Sequence, residues 1–197
     1  MSNKNIKQAN FIVFRNSFLF ASILLLVSIA SFADEQANIT IKTADFSFQE
    51  QTFLLNADIQ YTLSDEAIEA LHNGVTLTFN VDLSIIETRP WLWDKHHNTI
   101  SLPYQIKRHT LAETYQVSDI NHHIQHSFSS LNTALRVLGT LRQLPMHAIE
   151  IPDGYNAYAS IAVYLNIEAL PLPMRPMAYL TPGWHLRSDP FQWSLNP

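Results

Sequence analysis

The chain has 197 residues and a mass of 22.5 kDa, with 12 Lys and Arg against 17 Asp and Glu for a formal net charge of −5. That length suffices for one ordinary domain around one core. With 47% hydrophobic and only 15% charged residues, it reads as neither a disordered tail nor a polybasic nucleic-acid binder, which needs clustered Lys and Arg to neutralise phosphates. The absence of Cys excludes disulfides, thiol nucleophiles and cysteine zinc sites, and four Gly give no material for a glycine-rich phosphate cradle.

Lys4, Lys7 and Arg15 lead into an apolar run from Phe18 to Ala30, and Ser31 and Ala33 stand at the small-residue positions before a cut after Ala33. A basic start, an apolar middle and small residues at the end predict a secretory signal peptide over 1–33. The alternative is an uncleaved anchor, because the run extended back through Phe11 approaches the length of a membrane span, although Arg15 interrupts it. The expected product is one exported β-rich domain over 34–197, in the periplasm or held at the inner membrane facing it. Without Lys4, Lys7 and Arg15 it keeps nine basic residues against seventeen acidic ones and carries −8. Such a domain is not built to cling to anionic lipid or nucleic acid, so membrane contact is expected only through the N-terminal segment.

From Asn38 onward the dominant period is two, which marks strands with one buried face. Alternation is weak over Ile39 to Phe48 and clear over Phe53 to Leu63, where Leu55, Ala57, Ile59 and Tyr61 alternate with Asn56, Asp58 and Gln60. Ser64 to Asn73 predicts a helix: Ser64 can cap it, Asp65 and Glu66 suit its positive end, and Gly74 supplies a left-handed exit. Val75 to Ile85 alternates again, followed by weaker strands over Ile100 to Ile106, Leu111 to Val117 and Ile124 to Phe128. Ser130 to Leu144 reads as a second helix, with Leu131, Ala134, Leu135, Leu138 and Leu141 on one face, Arg136 and Arg142 outside, and Pro145 as its stop. It is expected to lie across the apolar face of the sheet. Ala159 to Ile167 predicts a strand, Pro173 to Leu180 a short helix and Phe191 to Leu195 a last strand. Alternating strands belong to antiparallel sheets. The expected fold class is therefore α+β, mainly β: an antiparallel sheet curved or folded into a sandwich, with two to three short helices packed against it.

Histidine is the unusual polar resource, with nine residues that include His96, His97, His122, His123 and His126. Imidazoles can hold zinc or copper, yet on a strand His122 and His126 would stand roughly 13 Å apart, too far to share one ion. Solvated loop histidines are the preferred reading, and no metal or cofactor is assigned. No Gly-x-Ser-x-Gly elbow and no His-Glu-x-x-His occurs, so no catalytic residue is assigned either.

Trp91, Trp93 and Asp94 fall between two predicted strands, at the tip or shoulder of a hairpin. The preferred structural reading lets the tryptophans cover one end of the core. The functional reading makes Trp91, Trp93 and Asp94 a partner contact, since large rigid rings flanked by charge anchor interfaces. Arg108 and His109, in the basic run Lys107 to His109, are added as candidate partner contacts against the alternative of a solvated strand end. Tyr155, Tyr158, Tyr164, Tyr179, Trp184 and Trp193 read as core and rim packing.

Several segments taken together resemble one family: the helix and strand from Leu63 to Phe79, Pro90 to Asp94, Tyr104 to Leu111, Ala134 through Gly139 to Pro145, and Ile167 to Pro173 with Ala178 to Trp184. The family is the exported, proline-rich signal-peptide proteins of proteobacteria grouped as domain of unknown function 4390, and the resemblance covers about Ile39 to Trp193. It implies a single exported domain without assigned activity, whose genes often sit beside a membrane sensor histidine kinase. The family has no histidine motif at His96, His97, His122 or His123, which weighs further against a metal.

The leading expectation is thus a noncatalytic exported binding or accessory module linked to envelope signalling. Its expected partner is an envelope protein, a membrane sensor histidine kinase being one candidate. Two alternatives stand beside it: a metal-dependent or hydrolytic envelope enzyme using the histidines, and a carrier of small apolar ligands.

Overall fold

The computed structural model describes residues 37–50, 52–89, 91, 93–146 and 157–195. The expected signal peptide, its cleavage after Ala33, and Tyr155 lie outside the described residues.

The two clearest alternating runs form two long strands in two different sheets. β1 (Asn38–Gln49) and β2 (Thr52–Thr62) make an antiparallel hairpin, and β2 pairs on its other side with β7 (Thr140–Met146). The second sheet is built around β3 (Leu77–Glu87), which lies between β4 (Lys95–His109) and β8 (Ala157–Leu165). β5 (Thr114–Asp119) and β6 (Ile124–Phe128) extend it beyond β4, and β9 (Phe191–Ser194) closes it beside β8. The orders are β1-β2-β7 and β6-β5-β4-β3-β8-β9, with every pair antiparallel.

The two inner faces share one core. Leu55, Ala57, Ile59 and Tyr61 of β2 lie in the same buried cluster as Phe79, Val81, Leu83 and Ile85 of β3. The Tyr61 and Phe79 rings meet across the sheets at 5.0 Å, edge to face. On one flank Phe46 of β1 packs against Trp193 of β9 at 5.2 Å, which closes the sandwich there. On the other flank α2 (Leu131–Leu138) bridges the sheets, with Ala134 and Leu138 buried. Odd residues of β3 face inward, while Asn80, Asp82 and Ser84 face outward and bond to Ser101 and Thr99 of β4.

α1 (Asp65–His72) starts as its sequence predicts. The Ser64 hydroxyl oxygen accepts from the Ala67 amide at 3.2 Å and its proton goes to the Gly183 carbonyl at 2.7 Å. Gly74 follows with φ +81°. Pro-rich turns at Leu172–Met174 and Pro182–Trp184 flank α3 (Arg175–Leu180) at the same end of the sandwich. Among the described residues no helix is long and apolar enough to cross a membrane.

The second helix is shorter than its apolar spacing suggests. It ends at Leu138, and Thr140 to Met146, which the periodicity places in the same helix, is strand β7. The cause is tertiary: at Gly139 the backbone meets β2, where the Ile59 amide donates to the Gly139 carbonyl at 2.8 Å, and from there the chain pairs with β2. Pairing with an existing sheet edge overrides helical propensity. The strand expected from Leu111 likewise starts only at Thr114, because Leu111 lies exposed in the β4–β5 turn.

Candidate functional site

β3 delivers a carboxylate to the end of the core. Following the inward parity of Leu83 and Ile85, Glu87 faces in, and its side chain is only 5% exposed. A buried carboxylate needs partners. Arg89 Nε donates to Oε1 at 2.9 Å and His97 Nε2 donates to Oε2. These two hydrogen bonds, Arg89 first, hold the Glu87 carboxyl below the usual carboxylate range against the opposing effect of burial. His97 reaches Glu87 because β4 carries a bulge there: Ile85 pairs with Asn98 and Ile86 with His96, which leaves His97 as the extra residue.

The clamp joins both stems of the β3–β4 connection. Trp91 has φ +74°, a left-handed conformation that costs a bulky residue roughly 1–2 kcal/mol. Trp91 is 101% exposed and Trp93 91% exposed. The expectation that these rings cover the core is therefore corrected. The reason is local: the inward position at this end is filled by the Glu87 clamp, with Ala157 beside it on β8. Asp94 accepts from the Tyr158 hydroxyl at 3.1 Å, tying the loop to β8, and burial with this bond raises the phenol's pKa.

The two halves of the expected contact do not meet. Trp91, Trp93 and Asp94 precede β4, whereas Arg108 and His109 end it, so the 15-residue strand puts roughly 45 Å between Asp94 and Arg108. Arg108 faces inward beside α1: its Nη1 donates to the His72 carbonyl at 3.4 Å and its guanidinium lies 6.0 Å from the Tyr115 ring centroid. It finishes the C-terminus of α1. His109 bonds to Gln116 of β5.

The other histidines are dispersed. His122 Nδ1 donates to Asp119 at 2.8 Å in the β5–β6 turn, and His126 lies on β6. Among the described residues no group of three or more His, Asp or Glu side chains could hold a metal ion. Of the aromatic residues expected in the core, Trp184 is buried and Trp193 packs on Phe46, while Tyr179 is half exposed and bonds to Glu168.

Glu87 is the residue that sequence reasoning missed at this site. The available signal was parity: a charged residue two past Ile85 on the dry face of a strand, with Arg89 two further on.

No curated protein and no solved structure matches the chain. One family model does, the one described as Domain of unknown function (DUF4390); it matches residues 36–194, nearly all of the sandwich and its helices, and the chain belongs to that family.

Proposed function

We propose that this domain is a noncatalytic exported binding or accessory module that grips another envelope protein through Trp91 and Trp93. The carrying observation is the pair of almost wholly solvated indoles on a connection whose stems are clamped by a buried carboxylate. Rings left in water add nothing to the core, and clamped stems at Glu87, Arg89 and His97 lower the entropic cost of presenting them. Burying each against a partner is worth about 4–6 kcal/mol gross, from 150–250 Å² at ~25 cal/mol per Å². Backbone strain of the kind seen at Trp91 collects at functional positions. Export is supported by the order of basic, apolar and small residues over 1–33. A membrane sensor histidine kinase fits as the partner through the family resemblance.

The experiment is crosslinking in the native envelope from a photoreactive group at position 93, followed by titration of the identified, purified partner. The Trp91→Ala, Trp93→Ala double variant should bind that partner at least tenfold more weakly and melt within about 1 °C of the parent. Unchanged affinity would overturn the proposal. So would a large fall in melting temperature, which would return the rings to a structural role.

A further inference from the structure

The flank bridged by α2 carries a half-open, largely apolar groove of about 340 Å³. Val117 and Ile124 line it from β5 and β6, Val137 from α2, and Leu141 and Leu144 from β7. That volume is at the lower end for small-molecule sites, ~300–1,000 Å³, and equals the liquid share of about eleven waters at ~30 Å³ each, enough for one medium-length chain.

One fixed cation stands at its edge. On β7, Arg142 and Gln143 together oppose the single residue Asn56 in a bulge; Gln143 takes φ +49° and its amide donates to the Asn56 side chain at 3.0 Å. Arg142 Nη1 donates to the Ala57 and Leu141 carbonyls at 3.1 and 3.0 Å, which holds the guanidinium at the groove. Among the described residues no carboxylate forms an ion pair with it. The one acid lining the groove, Asp119, is already engaged: it accepts from the Tyr104 hydroxyl, from the His122 amide and from His122 Nδ1. The groove thus offers an apolar trough, a positioned guanidinium and an acid whose lone pairs are already hydrogen-bonded by the protein.

We propose that this groove binds a single medium-length acyl chain ending in a carboxylate, its methylenes against Val117, Ile124, Val137, Leu141 and Leu144 and its carboxylate on Arg142. Apolar burial supplies the affinity and the guanidinium fixes the direction of the chain through the N–H groups not given to the Ala57 and Leu141 carbonyls. The volume favours one chain over a two-chain lipid.

Decanoate is the probe, with decanol as its uncharged counterpart, titrated by calorimetry into the full exported domain below the micellar range. Saturable 1:1 binding of decanoate is expected, with decanol at least tenfold weaker. Arg142→Gln should erase that preference while leaving decanol binding unchanged, whatever its loss of the Ala57 and Leu141 carbonyl bonds does to the melting temperature. Ile124→Glu, at a half-exposed position, should weaken decanoate at least tenfold by placing an anion in the trough. Absence of saturable decanoate binding, full decanoate affinity in Ile124→Glu, or equal binding of both probes by the parent domain would each overturn the proposal.

Discussion

Gly139 and Ile59 are in backbone contact: the Ile59 amide donates to the Gly139 carbonyl at 2.8 Å, and a Cβ on Gly139 would stand 1.8 Å from the Ile59 carbonyl oxygen. The obstacle is backbone of a central strand, which cannot move aside as the end of a flexible side chain could. Gly139→Ala should therefore destabilise the domain by about 3 kcal/mol or more, beyond the usual range for single substitutions, and should be read as a melting shift or as loss of soluble protein. A variant melting like the parent would mean that α2 and β7 do not join this way. Gly183 is the contrast, since a Cβ there meets only the side chain of Glu66.

Among the described residues the buried Tyr61 hydroxyl has no hydrogen-bond partner, and burial raises its pKa. A buried polar group left unpaired costs about 1–3 kcal/mol. Tyr61→Phe keeps the ring that packs on Phe79 and removes the oxygen, so it should stabilise the domain by about 1 kcal/mol in urea unfolding. A clear loss of stability would show that the hydroxyl has a partner.

Glu87 predicts how stability falls in acid. Its folded pKa is depressed by Arg89 and His97, so the unfolded chain takes up this proton first as pH drops. The stability it contributes is present in full above the ordinary carboxylate value, ~4.3, and is lost as pH falls through the lower folded value. The melting difference between the parent and Glu87→Gln should therefore be largest near neutrality and shrink toward about pH 3. A difference that grows in acid would reverse the sign and reject the clamp.

The tryptophans should divide into two classes under acrylamide quenching. Trp91 and Trp93 are solvated, whereas Trp184 is buried and Trp193 packs against Phe46 and Phe191. Trp91→Phe and Trp93→Phe should each remove readily quenched, red-shifted emission, and the double variant should leave a blue-shifted, protected remainder. Protected emission lost with Trp93 would place that ring back in the core.

Much of the sandwich is legible in the residue order. Leu55 to Tyr61 and Leu77 to Ile85 alternate because each strand has one dry face, and Ser64 with Gly74 marks both ends of α1. The site was half legible: Trp91 and Trp93 stand out as residue types, but local order cannot say whether a ring at the end of a strand folds over the core or away from it. Arg108 and His109 stand at the far end of the 15-residue strand β4 from that loop, a separation set by the length of the strand.

Local residue order therefore sets the periodic part of the protein: strands, caps, an antiparallel and mainly β architecture, and the chemistry it lacks for want of Cys. The end of α2 at Leu138, the clamp between Glu87 and His97, and the groove beside Arg142 were decided only by the tertiary structure. Each depends on residues that only strand pairing brings together, Gly139 on Ile59, Glu87 on His97, Arg142 on Ala57, and on a bulge or close approach that costs local order and is repaid by packing. Short-range periodicity reports which side of an element is dry; it does not report what that side meets.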